Sequence, residues 1–315
     1  MNNRVAEALV AERWPGGLIA STRQLLEAGI DDRVITACVR RGILVRIRRA
    51  AYARTGQWNA LSHWEQDNFR IDAHAAGAQH SAVYSHTSAA RLHGFAVWDA
   101  GPVIHIVNKA NSGSSHGSDV VVHRTPAGSG DTVGARTRDG RPVLATAPVR
   151  TVIDCARILA PEPAAVIGDS ALRSGVSIEQ LTAALGSAEF TRGRARAAKL
   201  IGLLDQRAES AGETRTRLLL ARLGIEPPEI QFCIKTALGT YRADYAWPRI
   251  RLILEFDGRA KYFDYRPTPE ALLLERRRES ALIELGWRVI RLTWADLDRP
   301  DLVAARIAAA FAAAA

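Results

Sequence analysis

The chain has 315 residues, of which 47% are hydrophobic and 24% charged, and its formal net charge is +9. This composition is typical of a globular protein, which excludes a disordered or fibrous chain, and the length predicts two or three domains. No apolar stretch reaches the roughly 18 residues that a membrane helix needs and the first residues lack the order of a signal peptide, so we expect a cytoplasmic protein whose charge favours a polyanionic partner.

Residues 1–56 predict a winged helix-turn-helix. Ser21 and Asp31 are placed to cap the second and third of its helices, and Arg48 and Arg49 lie near the bend of the hairpin that follows. The predicted elements are helices over 4–13, 22–28 and about 32–41, and two short strands from Ile43 to Arg54.

Positive charge is concentrated in the same 56 residues, which hold ten arginines against five acidic residues, a net charge of +5. A helix fits the major groove of DNA, where arginine reads guanine edges, and a cationic hairpin follows the flanking phosphates. The alternative is a solvated basic helix in a dimerisation or protein-interaction module. The residues that we expect to contact double-stranded DNA are Arg33, Thr36, Arg40, Arg41, Arg46, Arg48 and Arg49.

Residues 57–190 predict a mixed α/β region without a strong catalytic signature. Its predicted elements are helices near 62–77 and 86–93, strands at 103–109 and 119–125, a polar loop, and two helices after Pro148.

Histidines and cysteines offer weak signals. We predict no metal site at the histidines, because no cysteine or carboxylate accompanies them at ligand spacing and structural histidines are commoner. The histidines in question are His63, His74, His80, His86 and His93. The cysteines, Cys38, Cys155 and Cys233, are too few and too far apart for a disulfide framework or a metal knuckle, and we expect them in the core.

The last third of the chain has its own pattern of elements. Residues 191–210 predict a charged connecting helix with solvated arginines, and residues 211–315 predict the order αβββαβα. The predicted bounds are a helix over about 211–223 that contains Glu213, strands near 229–236, 241–247 and 251–257, a helix near 269–285, a strand at 287–294 and a final helix.

Acidic residues end two of these strands. The strings YRADYAW and RLILEFDG should pair as a hairpin, which makes Asp244 and Glu255 near neighbours, and the second string is typical of a central strand that is covered on both faces. Because side chains alternate along a strand, Glu255 and Asp257 should point to one side, where Asp244 can join them. Three carboxylates suit Mg²⁺ or Mn²⁺, which activate water and neutralise a phosphodiester. A structural ion-pair network is the alternative, with Arg242, Arg249 or Arg251.

The strings RADYAWP, LILEFDG and ERRRESALIELGWRVIRLTWADL, within about residues 205–300, resemble the very-short-patch-repair (Vsr)-like branch of the PD-(D/E)XK nucleases. The resemblance implies that Asp244 and Glu255 bind Mg²⁺ and that Glu213 belongs to the site. The lysine expected two residues after Glu255 is replaced by Asp257, for which Lys261 is a candidate substitute.

Two further residues, Arg276 and Arg278, are candidates for contact with the scissile phosphate. The alternative is that they pair with Glu275 and Glu279 on the surface of their own helix.

The strings GLIASTRQLLEAGIDDRVITACVRRGILVRIRRAAYA, YSHTSAARLHGF and PVRTVIDCAR resemble AbiEi-type antitoxins over about residues 5–185. The resemblance implies a winged helix that binds inverted repeats in the promoter of its own operon and a protein that counteracts a nucleotidyltransferase toxin. The basic antitoxin pattern lacks a nuclease-like domain.

Together these observations predict an α+β multi-domain protein with a winged helix-turn-helix at 1–56, an AbiEi-like α/β domain at 57–190, a connector at 191–210 and a restriction-endonuclease-like αβββαβ domain at 211–315. The predicted function is that of a DNA-binding regulator with an Mg²⁺- or Mn²⁺-dependent endonuclease domain. The alternative is a catalytically inactive repressor or antitoxin of a type IV toxin–antitoxin system. The oligomeric state stays open.

Overall fold

Helices and three separate β-sheets make up the computed structural model, a mixed α+β structure. It describes residues 2–77, 82–107, 119–124, 130–188, 190–258 and 269–313, with the backbone alone at 269–272. The chain divides into two compact units: Met1–Leu159 with Glu179–Ala197, and Ala160–Ile178 with Ala198–Ala315.

The first unit begins with the predicted order of three helices and a hairpin, here named the helix–hairpin segment. Its elements are α1 (Asn3–Arg13), β1 (Ala20–Ser21), α2 (Thr22–Glu27), α3 (Asp32–Arg40), β2 (Leu44–Arg48) and β3 (Ala51–Arg54). The three strands form an antiparallel sheet of order β1-β3-β2.

The predicted caps position the two helices. The Ser21 hydroxyl accepts a hydrogen bond from the Gln24 amide, and the Gln24 side chain accepts one in return from the Ser21 amide. The Asp31 carboxylate accepts from the amide of Val34 at 2.8 Å. Each cap satisfies an amide that the first turn of a helix otherwise leaves unpaired, which is why the helices begin at these residues.

The rest of the first unit surrounds a five-stranded mixed sheet of order β6-β5-β4-β8-β7. The predicted helices and the two predicted strands are present, and the segment expected as a polar loop forms the additional antiparallel hairpin of β7 and β8. The elements are α4 (Thr55–Asn59), α5 (His63–Gly77), β4 (Val83–Tyr84), α6 (His86–Leu92), β5 (Ile104–Val107), β6 (Val120–His123), β7 (Thr132–Arg136), β8 (Pro142–Thr146) and α7 (Pro148–Ile158).

A pair of acids joins the helix–hairpin segment to the rest of its unit. The Asp139 carboxylate accepts from the backbone amides of Leu18 and Ile19 at 3.2 and 3.1 Å. The buried Asp72 carboxylate in turn accepts from the amide of Asp139 at 2.8 Å. These contacts hold the residues just before β1 against the β7–β8 turn.

The second unit contains a four-stranded sheet of order β12-β11-β10-β9, in which β11 and β12 are parallel and the other pairs antiparallel. Its element order from α11 agrees with the predicted one. Between α7 and the sheet the chain forms α8 (Pro161–Arg173), α9 (Ile178–Ser187), α10 (Arg194–Ile201) and α11 (Ala211–Arg222), of which α9 and the first half of α10 belong to the first unit. The remaining elements are β9 (Glu229–Thr236), β10 (Gly239–Trp247), a short 3₁₀ helix (Pro248–Ile250), β11 (Leu252–Phe256), α12 (Pro269–Glu284), β12 (Arg288–Leu292), α13 (Trp294–Leu297) and α14 (Pro300–Ala312).

Strand β11 is covered on both faces, as its apolar sequence predicted. Leu252 and Leu254 belong to one hydrophobic cluster and Ile253 to another, and all three are fully buried. The strand therefore places its last residues, Glu255 and Phe256, next to a closed core.

The predicted connecting helix at 191–210 is wrong in extent, since α10 covers Arg194–Ile201 only and α11 begins after the Ser210 cap. Arg194 is half-buried and Arg196 is exposed, and both are hydrogen-bonded to backbone carbonyls. Residues 160–178 pack with the second unit although the predicted boundaries assign them to the middle region.

Two smaller predictions can also be compared with the structure. Cys38 and Cys155 are buried as expected, but Cys233 is exposed, because it lies on β9 at the edge of its sheet. Among the described residues, no helix has both the length and the apolar character needed to cross a membrane.

Candidate functional site

The acids Asp244 and Glu255 meet at the end of the β10–β11 hairpin. The last paired residues of the two strands are Tyr245 and Leu254, so the acids are the next residue on each strand. Each carboxylate reaches across to the other strand: Glu255 accepts from the Asp244 amide at 3.3 Å, and Asp244 accepts from the Phe256 amide at 2.9 Å. The predicted juxtaposition of Asp244 and Glu255 is therefore present.

Burial and mutual repulsion make this pair of carboxyls hard to ionise. Burial, and next the Glu255 carboxylate, raise the pKa of Asp244 to about 7, and Glu213 and Glu209 act in the same direction. Burial also raises the pKa of Glu255, against a hydrogen bond from the hydroxyl of Tyr241 that lowers it. A divalent cation between the two carboxylates would remove this repulsion.

Glu213 of α11 lies near enough to this pair to raise the pKa of Asp244, but Asp244, Glu255 and Glu213 do not bring carboxylate oxygens within 4.8 Å of one another. The Glu213 side chain is buried and accepts from the amide of Glu209 at 2.8 Å and from the side-chain amide of Gln231 at 3.0 Å. Gln231 has a φ of 56°, a left-handed conformation that is rare for a non-glycine residue in a strand. Such strain is found where a side chain has to be aimed at one place.

The predicted convergence of Asp257 with this pair is wrong. Asp244, Glu255 and Asp257 do not bring carboxylate oxygens within 4.8 Å of one another. The reason is that β11 ends at Phe256, and the Asp257 amide donates to the Leu292 carbonyl, so strand alternation stops before Asp257. Lys261, the candidate substitute for the expected lysine, lies outside the described residues.

The ion-pair alternative finds its three arginines engaged elsewhere. Arg242 pairs with Glu209 at 2.7 Å, Arg249 pairs with Glu226 at 3.4 Å, and Arg251 donates to the Leu285 carbonyl at 3.1 Å. In the part of the chain that the structure describes, no ion pair joins Asp244 or Glu255 to a basic side chain, although Arg291 lowers the pKa of Glu255 from a distance.

Arg276 and Arg278 are exposed on α12. The glutamates that were their alternative partners, Glu275 and Glu279, instead pair with Arg291 of β12 at 3.8 and 3.3 Å. Both arginines thus remain candidates for phosphate contact.

The basic face of the helix–hairpin segment has the predicted residues, with one exception. Arg33, Thr36, Arg40 and Arg41 are exposed and line a shallow groove on α3, and Arg46 and Arg49 are exposed on and beside the hairpin. Arg48 turns inward and lies 3.5 Å from Asp119, with its side chain 19% exposed. Arg48 therefore makes a contact within the first unit, and the other six predicted residues are accessible to DNA.

A second group of ligand-type side chains was not predicted. His86 at the start of α6, His105 on β5 and His123 on β6 place one ring nitrogen each within 4.8 Å of the others. No other trio of histidine, cysteine or acidic residues among the described residues meets this condition. Nδ1 of His105 lies 2.8 Å from Nε2 of His123, and the ring of His86 stacks on that of His123 at 3.7 Å.

The sequence signals for this histidine trio were indirect. His93, seven residues after His86, is hydrogen-bonded to the Thr146 carbonyl at 2.7 Å, and His80 lies outside the described residues. His105 and His123 each sit in a valine-rich strand, and one histidine on each of two successive strands was the signal that could have found them. Burial lowers the pKa of His86 to about 2 and that of His105 to about 4.

Two members of the trio, His86 and His123, line a pocket of ≈ 570 Å³ in the first unit. The wall beside His86 and His123 carries three arginines, Arg157, Arg192 and Arg196. Gly193 has a φ of 80°, and a Cβ there would lie 2.9 Å from Cβ of Arg157, so this close approach requires glycine.

Comparisons with known proteins give no function. No protein-family model matches the chain. Two proteins of Mycobacterium tuberculosis, uncharacterized protein MT2308 of strain CDC 1551 / Oshkosh and uncharacterized protein Rv2248 of strain H37Rv, are each 35% identical over 179 residues, which is 56% of this chain. The chain spans 65% of the length of these curated relatives.

One solved structure is similar in part. The crystal structure of the Rv2827c protein from Mycobacterium tuberculosis superposes with a TM-score of 0.39 at 17% identity, over 73% of this chain and 87% of that one.

Proposed function

We propose that the chain is a DNA-binding protein whose second unit hydrolyses phosphodiester bonds with a divalent cation held by Asp244 and Glu255. The observation that carries the proposal is the half-buried pair of carboxyls at the end of β11, with the pKa of Asp244 raised to about 7 and no basic side chain paired with either acid in the described residues. A structural ion-pair network would not leave such a pair without a cation.

The donor atoms fit Mg²⁺ or Mn²⁺, because both ions prefer hard oxygen ligands and retain waters in their coordination shell. When bound, such a cation supplies charge neutralisation at the phosphodiester and activation of water. Tyr241 holds Glu255 in place through its hydrogen bond, and Gln231 together with the Glu209 amide holds Glu213. Asp257 cannot supply the positive charge of the lysine that is expected at its position.

The DNA-binding half of the proposal rests on the helix–hairpin segment, which we interpret as a winged helix-turn-helix. Its exposed arginines lie on α3 and at the hairpin, the positions that contact the major groove and the flanking phosphates in this kind of domain. Double-stranded DNA is the partner that this face fits.

A plasmid-nicking assay with Mg²⁺ or Mn²⁺ tests the proposal. We expect wild-type protein to convert supercoiled DNA to nicked or linear DNA, and Asp244→Asn and Glu255→Gln to reduce the rate by at least about 100-fold, because each removes a charged ligand of the cation. Both substitutions keep the shape and the hydrogen-bonding oxygen of the side chain.

The matched control is Glu226→Gln, which neutralises an exposed acid of the same unit that pairs with Arg249 at 3.4 Å. It should cleave like the wild type. DNA binding, measured by gel shift in EDTA, should be the same for all four proteins. Equal nicking by wild type and both site variants would exclude Asp244 and Glu255 as the cation site.

One observation favours a second candidate, a catalytically inactive repressor or antitoxin. Asp257 stands where the PD-(D/E)XK pattern expects a lysine, so the water-activating cation is missing from that position. This candidate predicts tight binding to inverted repeats in the promoter of its own operon, with no cleavage of duplex, mismatched or single-stranded DNA. Its partner would be a nucleotidyltransferase toxin encoded by a neighbouring gene.

A further inference from the structure

The histidine trio plays no part in the function proposed above. Its members come from three elements, α6, β5 and β6. Strand β6 is held by its parallel pairing with β5, and two hydrogen bonds hold β5 against the start of α6. The Ser85 amide donates to the His105 carbonyl at 2.9 Å, and the His105 amide donates to Oγ of Ser88 at 2.9 Å. The backbone positions of the three histidines are therefore fixed by the fold.

We propose that His86, His105 and His123 bind one divalent transition metal ion of the zinc class, whose open coordination position faces the arginine-lined pocket and takes a tetrahedral oxyanion. Three protein ligands with one open position are the pattern of reactive zinc sites, whereas structural zinc sites are closed by four.

Binding of the ion requires the rings to turn, because those of His86 and His123 are stacked with their centroids 3.7 Å apart, whereas each ligand nitrogen has to bind the ion in the plane of its own ring. Ligand nitrogens in a tetrahedral zinc site lie about 3.3 Å apart, given zinc–nitrogen distances of about 2.0–2.1 Å. Nδ1 of His105 and Nε2 of His123 are 2.8 Å apart and share a proton in the metal-free state. The ion takes the place of this proton, and the donor ring then carries its proton on its other nitrogen.

His86 is prepared for the same ion. Its Nδ1 lies 3.0 Å from Oγ of Ser85, which leaves Nε2 as the ligand atom and fixes the ring, as outer-shell partners of metal-bound histidines do. The backbone of His86 has a φ of 49°, in the left-handed region. Holding a non-glycine residue there is unfavourable, and such strain clusters at functional sites.

The oxyanion follows from charge. Three neutral histidines leave the full positive charge on the ion, and the pocket wall adds the guanidinium groups of Arg157, Arg192 and Arg196. Arg157 is held in place by Asp154 at 3.4 Å and by the ring of Phe190 at 3.6 Å. A pocket with this excess of positive charge requires a negatively charged ligand, and planar guanidinium groups match oxyanions.

Titration with Co²⁺ tests the metal site, because four-coordinate Co²⁺ has visible absorption bands. The full chain is used with Asp244→Asn and Glu255→Gln in the background, so that the acidic site does not contribute. We expect one Co²⁺ per chain, at least about a tenfold loss of affinity in His123→Gln and in His86→Asn, and no change in His63→Gln, which alters an exposed histidine outside the trio.

Asparagine is chosen at position 86 because it tolerates the left-handed backbone, so loss of binding in that variant does not reflect lost folding. Circular dichroism of each variant checks this point. Two results would overturn the proposed metal site: no saturable cobalt spectrum in the background protein, or a Co²⁺ affinity in His123→Gln and His86→Asn equal to that of the background protein. Neither result would bear on the acidic site.

The oxyanion is tested with sulfate as the probe. Sulfate should shift the cobalt spectrum and tighten Co²⁺ binding in the background protein, and the shift should be lost in Arg192→Ala, whose side chain is exposed at the mouth of the pocket. An identical sulfate effect in Arg192→Ala and the background protein, or none in either, would refute the oxyanion part of the proposal.

Discussion

Two neighbouring groups act in opposite directions on the ionisation of Asp244. Its carboxylate is the acceptor for the Phe256 amide, which favours the ionised form, and it lies beside Glu255, which disfavours it. The pKa near 7 shows that burial and repulsion win. The ionised state, which a cation would need, therefore costs stability when the cation is absent.

This cost predicts that Asp244→Asn stabilises the metal-free protein at high pH. The pKa of Asp244 is about 7 in the folded state against about 3.9 unfolded, so the stability present below pH 4 is lost as pH rises to 7. We expect a gain of about 1–3 kcal/mol in the variant at pH 8, less than the roughly 4 kcal/mol that three pKa units represent, since the side chain is not fully buried.

Urea denaturation in EDTA at pH 4, 6 and 8 measures the effect. The advantage of Asp244→Asn should grow between pH 4 and pH 8. In a parallel series at pH 8 without EDTA, Mg²⁺ should stabilise the wild type more than the variant. An advantage independent of pH would show that Asp244 ionises normally.

The contact between α11 and β11 decides how the acids come together. Gly212 lies one residue before Glu213, and a Cβ at this position would lie 1.8 Å from Cε1 of Phe256. Glycine thus lets the helix approach the strand closely enough for Glu213 to raise the pKa of Asp244.

Gly212→Ala is therefore expected to destabilise the protein by about 1–3 kcal/mol, since overpacking exceeds the gain of about 1 kcal/mol that alanine gives a helix. Gly202→Ala is the matched control, because its Cβ would meet nothing closer than 3.6 Å. Thermal unfolding of both variants, and of Gly212→Ala combined with Phe256→Leu, measures the effect. The double variant should recover part of the loss, and equal stability of the two alanine variants would contradict the close approach.

Elements with local signals were predictable from the sequence. The caps at Ser21 and Asp31 and the apolar run before Glu255 each dictate a structure within a few residues. The pair Asp244 and Glu255 followed, because a hairpin sets its own register. What failed depended on where a strand stops: Asp257 leaves the site because β11 ends one residue too early.

The histidine trio was not predicted, because its members are distant in sequence and the one signal, a histidine on each of two successive strands, does not show that the strands pair. His86, His105 and His123 meet through the parallel pairing of β5 with β6 and the position of α6, and no local pattern encodes either. Arg48 was mispredicted for the same reason, since its partner Asp119 is 71 positions away. Spacing rules find ligands on one helix or one hairpin, and miss those assembled by a sheet.

At the scale of the whole molecule, a net charge of +9 attracts any polyanion. Only the placement of the charge distinguishes a DNA-binding face from a generally basic surface. The two explanations differ in which arginines control the salt dependence of DNA binding, because each phosphate contact that is lost lowers the slope of log K against log salt by about 0.9.

The double substitution of Arg46 and Arg49 by alanine is therefore expected to lower this slope by roughly 1.8 and to weaken binding at low salt. A control with the same loss of charge replaces Arg222 and Arg249, exposed residues of the second unit with side chains 57% and 81% accessible. Fluorescence anisotropy with labelled duplex DNA between 50 and 300 mM salt, in EDTA, measures both. If the control lowers the slope as much as Arg46→Ala/Arg49→Ala does, binding follows total charge and the helix–hairpin segment is not the DNA interface.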